Sequence, residues 1–99
     1  MINWQQLVWK EYCFNGFKDK FDEHGEVGDI AELGLVVTEV AEAMEAVRNG
    51  EEDMVGEECA DIIIRVLNFM SRHGIDAETE VLLKDEKNRE RSSLHGKLV

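Results

Sequence analysis

The sequence contains no proline, only two cysteines, and half as many basic residues as acidic ones. Its 99 residues include 11 lysines and arginines against 22 aspartates and glutamates, a formal net charge of −11. This acidic excess argues against nonspecific nucleic-acid binding, because that binding needs Lys and Arg to displace counterions from phosphates. It does not argue against a small phosphorylated substrate.

Long apolar runs are missing as well. No stretch approaches the roughly 18 to 20 continuous apolar residues of a membrane span, and the N-terminus lacks a basic segment followed by an apolar one. We therefore expect a soluble, cytoplasmic protein with no membrane partner. In that setting Cys13 and Cys59 are expected to be reduced packing residues and not a disulfide.

Helical periodicity recurs along the chain, without β alternation or internal repeats, so the expected class is all-α in a single domain, residues 1–99. About four helices are predicted, with Asn3 and Asp76 as N-caps. They run from Asn3 to about Asn15, from about Asp29 to Arg48, from about Glu51 to His73, and from Ala77 to about Glu90. The charged segment 18–27 is predicted to be a loop or a frayed helix end.

The helix predicted after Glu51 is apolar around most of its circumference, which indicates burial on several sides. A lone bundle of this size buries a limited core. We therefore expect homo-oligomerisation to complete the bundle, as a homodimer or a dimer-of-dimers tetramer. The aromatic residues of the first segment are expected in the core or at an interface: Trp4, Trp9, Tyr12, Phe14 and Phe17.

Two short acidic motifs lie at equal distances from the turn at Gly50. Glu42 and Glu58 are each eight residues from it, and Glu39 and Asp61 are each eleven away. Residues three apart project from the same helix face. If the helices of residues 29–73 form an antiparallel hairpin, Glu42 faces Glu58 and Glu39 faces Asp61.

Four clustered carboxylates repel one another unless a hard cation lies among them. Oxygen-only ligands suit Mg²⁺, Mn²⁺ or Ca²⁺ better than zinc. An acid-rich chain also produces such pairs by chance, and a helical wheel places Glu39 and Glu42 opposite the apolar side of their helix, as on a solvated face. From spacing alone, both interpretations remain open.

Basic residues concentrate in the C-terminal segment, residues 77–99. Lys84, Asn88 and Arg91 are spaced to share one helix face and are followed by His95 and Lys97, a pattern that could bind phosphate oxygens or form the solvated end of a surface helix. Arg65 has a similar ambiguity, since it could contact substrate or pair with Asp61 one turn earlier.

These motifs resemble those of the MazG-type all-α nucleoside triphosphate pyrophosphohydrolases. The family pattern is E-E-x-x-E followed by E-x-x-D, which matches Glu39 to Glu42 and Glu58 to Asp61. The family's K-x-x-x-N-x-x-R, then H-G-K, is similar to the tail described above. The similarity runs from about Leu33 to the C-terminus. This sequence departs from the pattern at Thr38, where many members have glutamate, and at Ser92-Ser93, where relatives often carry Pro-Tyr.

The resemblance implies Mg²⁺-dependent hydrolysis of a nucleoside triphosphate between the α and β phosphates, giving a monophosphate and pyrophosphate in nucleotide-pool house-cleaning. It implies that Glu39, Glu42, Glu58 and Asp61 hold the Mg²⁺ ions, for which Mn²⁺ could substitute, and that one of them activates the attacking water. The remaining basic and polar residues would bind phosphates: Lys84, Asn88, Arg91, His95, Lys97 and, less directly, Arg65. Two alternatives are a phosphoribosyl-ATP pyrophosphatase-like enzyme and a noncatalytic acidic adaptor or DNA mimic.

Overall fold

The computed structural model describes residues 3–95, with side chains as far as residue 91. All regular structure in this range is helical, which confirms the all-α prediction. Within residues 3–95, no helix is both long enough and apolar enough to cross a membrane. The five helices are α1 (Trp4–Phe14), α2 (Phe17–Asp22), α3 (Gly25–Arg48), α4 (Glu52–Arg72) and α5 (Ala77–His95).

Both predicted N-caps are confirmed. The Asn3 carboxamide oxygen accepts a hydrogen bond of 3.0 Å from the Gln6 backbone N–H. Asp76 accepts bonds from the backbone N–H and the hydroxyl of Thr79, at 3.0 and 2.7 Å. Each cap satisfies a backbone donor that the first helical turn leaves without a partner. Between α3 and α4, Gly50 takes a φ of 71°, a left-handed conformation that glycine adopts without steric cost.

The prediction of a loop or frayed end at residues 18–27 is wrong, because α2 and the start of α3 occupy this segment, and residues 3–95 contain five helices where about four were predicted. Phe21 anchors α2 with only 5% of its surface exposed. A Cβ on Gly28 would lie 2.1 Å from the Phe21 carbonyl oxygen, so glycine is what lets α2 approach α3. A helix of six residues is too short to show periodicity, and tertiary contacts hold it in place.

The most extensive helix contact joins α3 to α4, while α1 packs on α4 and α2 packs on α3. Gln5 ties α1 to the connection between α4 and α5. Its Nε2 donates to the Ile75 carbonyl oxygen at 2.7 Å, and its Oε1 accepts from the Ala77 backbone N–H at 2.8 Å. These bonds fix the place where α5 leaves the other helices.

Helix α3 turns its apolar stripe outward and its acidic side inward. Ile30, Val37 and Val47 are 63 to 67% exposed, whereas Glu32 and Glu39 are 2% and 9% exposed. The same stripe also includes Leu33, Val40 and Met44, all exposed. The alternative of a solvated face is therefore wrong for Glu39, which packs toward α4, whereas Glu42 is exposed.

Within one chain, α4 is less buried than its composition predicts. Ile63 and Ile64 are exposed, and the buried residue of this helix is the polar Asn68. Of the five aromatic residues expected in a core or interface, Tyr12 is buried, but Trp4 and Phe14 are 66% and 88% exposed. Within one chain, the expected burial therefore does not occur for Trp4, Phe14, Ile63 and Ile64.

Candidate functional site

The four predicted carboxylates lie where α3 faces α4. One oxygen each from Glu39, Glu58 and Asp61 lies within 4.8 Å of the other two. Glu42 lies beside Glu58, close enough to influence its ionisation. We call these four residues the acidic cluster. Glu39 and Glu58 form its interior part, while Glu42 and Asp61 are exposed at its edge.

The interior of the cluster contains carboxylate oxygens that have no partner. Glu39 Oε2 and Glu58 Oε2 are both buried, and neither makes a hydrogen bond. A buried charged oxygen without a partner is costly, because its lost hydration is not replaced. The set of donors is oxygen alone, which matches the ligands that Mg²⁺, Mn²⁺ and Ca²⁺ prefer. The residues present therefore fit a hard divalent cation.

The cluster also perturbs the ionisation of its own members. Burial raises the pKa of Glu58 from 4.5 to about 7, and the neighbouring carboxylates of Glu42 and Glu39 add to the shift. Both neighbours favour the protonated form of Glu58, because their negative charges repel a further negative charge. A bound cation would reverse this balance by favouring the ionised form.

Arg65 pairs across the helices and not along its own helix. Its Nε donates to Glu39 Oε1 at 3.0 Å, so the predicted alternative of an ion pair with Asp61 is not the one observed. This bond engages Oε1 of Glu39, whereas Oε2 has no hydrogen-bond partner. The Arg65 side chain remains 37% exposed, which keeps its guanidinium accessible from solvent.

A cavity of about 340 Å³ adjoins the acidic cluster. It lies among α1, α2, α3 and α4, and Glu39, Asp61 and Arg65 form the part of its wall shared with the cluster. The rest of the wall combines aromatic rings with a few polar groups. A cavity of this volume is large enough for part of a small molecule.

A buried ion network that the sequence motifs did not indicate lies next to the cavity, and two of its members, Tyr12 and Glu32, line the cavity. The Arg72 side chain is 3% exposed and pairs with Asp22, Asp29 and Glu32 at 2.5 to 3.0 Å. The Tyr12 hydroxyl donates to Glu32, and burial, with the adjacent Glu32 carboxylate, raises the pKa of Tyr12.

One spacing signal could have revealed this network. Glu32 stands seven residues before Glu39, and Arg72 stands seven residues after Arg65. Seven residues is about two helical turns, so each pair shares a helix face. The Glu32–Arg72 pair thus repeats the Glu39–Arg65 pair two turns farther from Gly50.

The predicted basic stripe lies apart from the acidic cluster in this chain. Lys84, Asn88 and Arg91 are all on α5, where every residue from Glu78 to Arg91 is exposed. None of the three lines the cavity beside the cluster. The His95 side chain and Lys97 lie outside the part of the chain described.

No protein-family model, curated protein or solved structure matches this chain. The resemblance to the pyrophosphohydrolases therefore depends on the motifs quoted above, and the activity that it implies stays a prediction. What the fold adds is the placement of those motifs. Two acidic segments separated in sequence lie together at one end of a cavity.

Proposed function

We propose that this protein is a Mg²⁺-dependent nucleoside triphosphate pyrophosphohydrolase that releases a nucleoside monophosphate and pyrophosphate. The observation that supports this proposal best is the meeting of Glu39, Glu58 and Asp61 oxygens within 4.8 Å. The partnerless buried oxygens of Glu39 and Glu58 support a cation at this place. The quoted motif pattern supports the choice of reaction.

Glu39, Glu42, Glu58 and Asp61 would hold Mg²⁺, with Mn²⁺ as a substitute. A bound ion would lower the pKa of its water and offset charge on the phosphates. Arg65 fixes Glu39 through the 3.0 Å bond from its Nε, so it orients one of the proposed ligands. A carboxylate at the exposed edge of the cluster could orient the attacking water.

Because the chain carries a formal net charge of −11, binding of a triphosphate requires basic side chains that contact the phosphate oxygens. Arg65 is the basic residue that already lies at the cluster and lines the cavity, so it is the first candidate. Contacts from Lys84, Asn88 and Arg91 require α5, of this chain or of a second copy, to approach the cluster. The proposal keeps these three residues as phosphate-binding candidates on that condition, together with His95 and Lys97.

We further propose that α3 and α4 act as an antiparallel hairpin within a cytoplasmic homo-oligomer. The exposed stripe on α3 supports this, since its six apolar residues alternate spacings of three and four. That spacing is typical of a helix seam covered by another helix. A second copy of the chain would remove this surface from water.

Product analysis tests the proposed reaction. Purified protein is incubated with ribo- and deoxyribonucleoside triphosphates, with Mg²⁺ or with chelator, and products are separated by anion exchange. We expect monophosphate and pyrophosphate only with Mg²⁺. Glu58→Gln should abolish turnover, whereas Glu57→Gln, one position along the same helix and exposed, should retain it.

Three results would contradict the proposal. Release of diphosphate and phosphate would show a different bond cleavage, and equal activity in both variants would place the chemistry away from the acidic cluster. Absence of turnover with every triphosphate would favour phosphoribosyl-ATP as the substrate or a noncatalytic role.

A further inference from the structure

Three aromatic residues are among those that line the cavity beside the acidic cluster. The rings of Tyr12, Phe17 and Phe21 line it. Tyr12 and Phe17 lie in contact, with ring centroids 5.8 Å apart and planes inclined by 31°. Such a wall favours a flat, apolar-faced group, because aromatic surfaces gain dispersion and stacking contacts from another ring.

One polar group in this wall has no partner. Asn68 is 5% exposed, lines the cavity, and its Oδ1 is buried without a hydrogen bond. Asn68 follows Asp61 by seven residues and Arg65 by three on α4, which places all three on one face of the helix. The same face therefore carries a carboxylate and a guanidinium at the cluster and, two turns from Asp61, an amide whose Oδ1 has no partner.

Buried polar groups in native proteins are nearly always hydrogen-bonded, so a buried acceptor without a partner requires an explanation. A structural role for Asn68 would need bonds to neighbouring helices, and its Oδ1 makes none. A ligand that supplies a donor to this oxygen explains both the amide and its position. The cavity and the amide thus point to a ligand independently of the acidic cluster.

We infer that this cavity binds the heterocyclic base of the nucleotide and that Asn68 reads the polar edge of that base. This inference rests on the function proposed above, which places the phosphates at the acidic cluster. A carboxamide carries an acceptor and a donor side by side. Nucleobases offer a complementary donor and acceptor on one edge and a flat face that stacks on aromatic rings. A sugar offers no such face.

Base selectivity follows from this arrangement. A site built around a hydrogen bond discriminates against a ligand that leaves its polar group unpaired. Asn68 is accordingly a specificity-determining residue, while the carboxylates of the cluster would treat all triphosphates alike. Removing the amide should weaken the preference among bases without removing the reaction.

The test compares Asn68→Leu with Asn49→Ala, which removes an exposed carboxamide outside the cavity. The readouts are kcat and KM for four nucleoside triphosphates that differ only in base. For the preferred base, Asn68→Leu should raise KM by about tenfold, the loss of one good hydrogen bond, with little change in kcat. The spread of kcat/KM among bases should narrow, and Asn49→Ala should match the wild type. Wild-type base preference in Asn68→Leu would overturn the inference while leaving the proposed reaction intact.

Nucleoside binding to the metal-free protein gives a readout that does not depend on turnover. Amide chemical shifts are followed during titration with nucleosides and, separately, with ribose 5-phosphate. Shifts at cavity residues that appear with nucleosides and are lost in Asn68→Leu support the inference even if no triphosphate is hydrolysed. Absence of such shifts, or equal shifts with ribose 5-phosphate, would overturn it.

Thermal melting separates recognition from a structural role. Replacing a partnerless buried amide by an apolar group of similar size is nearly neutral or stabilising. Asn68→Leu should therefore melt no lower than the wild type, and a clear loss of stability would contradict the assignment of Asn68 to a ligand.

Discussion

Replacement of Arg72 by methionine should destabilise this protein strongly. The Arg72 guanidinium lies among three carboxylates, of which Glu32 is buried with a side chain 3% exposed. The side chains of Asp22 and Asp29 are 41% and 30% exposed, so water can solvate them when Arg72 is removed. Glu32 has no such access and would keep a buried charge with only the Tyr12 hydroxyl as its partner.

The expected loss of stability follows from the difference in burial between Glu32 and the two aspartates. Breaking a buried ion pair by removing one partner costs about 3 to 5 kcal/mol, and the solvent access of Asp22 and Asp29 favours the lower end. A loss of about 3 kcal/mol corresponds to a melting temperature lower by about 12 to 24 °C for a domain of this size. Adding Glu32→Gln to Arg72→Met should recover part of the loss, because it removes the charge left unpaired.

Thermal melting followed by circular dichroism, at one fixed protein concentration, measures these effects. Arg89→Met is the matched control, since Arg89 is 74% exposed and lies 3.6 Å from Asp85. Exposed pairs of this kind contribute little, so its free energy of unfolding should change by less than about 1 kcal/mol. Arg72 is not the partner that stabilises buried Glu32 if Arg72→Met loses no more stability than Arg89→Met, or if the double variant is less stable than Arg72→Met alone.

Three further predictions concern pH, packing and assembly. Because the pKa of Glu58 is raised from 4.5 to about 7, the folded metal-free protein binds more protons than the unfolded chain between pH 4.5 and 7. The contribution of Glu58 to the free energy of unfolding therefore falls as pH rises through that window. If Glu58→Gln had the same dependence of melting temperature on pH as the wild type, the raised pKa of Glu58 would be contradicted. Gly28→Ala should lower the free energy of unfolding by about 1 to 3 kcal/mol, because the added Cβ clashes with Phe21. Gly34→Ala on the same helix, where a Cβ meets nothing within 4 Å, should raise it by about 0.5 to 1 kcal/mol. Equal melting temperatures in the two variants would refute the close approach of α2 to α3. Val37→Glu, on the exposed stripe of α3, should convert the proposed oligomer to monomers by light scattering, and a monomeric wild type would show that the oligomer proposal is wrong.

Helical periodicity and end signals were sufficient to predict most of the helices. Asn3 and Asp76 are the N-caps expected from their side chains, and Gly50 separates the two long helices. The equal spacing of the acidic motifs from Gly50 also anticipated that Glu39 and Asp61 would lie near each other. These features are local, or depend on one short connection, so a single sequence contains them.

The features that the sequence did not predict depend on contacts between distant segments. Helix α2 is short and is held by Phe21 and by the approach of Gly28, neither of which leaves a periodic pattern. The inward acidic side of α3 contradicts the usual rule that the apolar side faces the core. Arg72 reverses that rule here, since it neutralises the buried Glu32 from the neighbouring helix.

The motifs lead us to expect the basic stripe of α5 near the acidic cluster, but in this chain its residues do not line the cavity beside the cluster. The spacing of Lys84, Asn88 and Arg91 places them on one face of α5. Sequence spacing does not determine how α5 is oriented relative to the other helices. In this chain α5 contacts mainly the helix before it. Its relation to the acidic cluster therefore remains part of the proposed function.

Calorimetric titration of Mg²⁺ into the chelator-treated protein tests whether the acidic cluster is a metal site. Glu58→Gln removes one proposed ligand, and Glu57→Gln removes an equal charge from the same helix outside the cluster. Mg²⁺ binding should weaken by about tenfold or more in Glu58→Gln and should be unchanged in Glu57→Gln. Equal Mg²⁺ affinity in the two variants, or no binding to the wild type, would contradict a metal site at the acidic cluster.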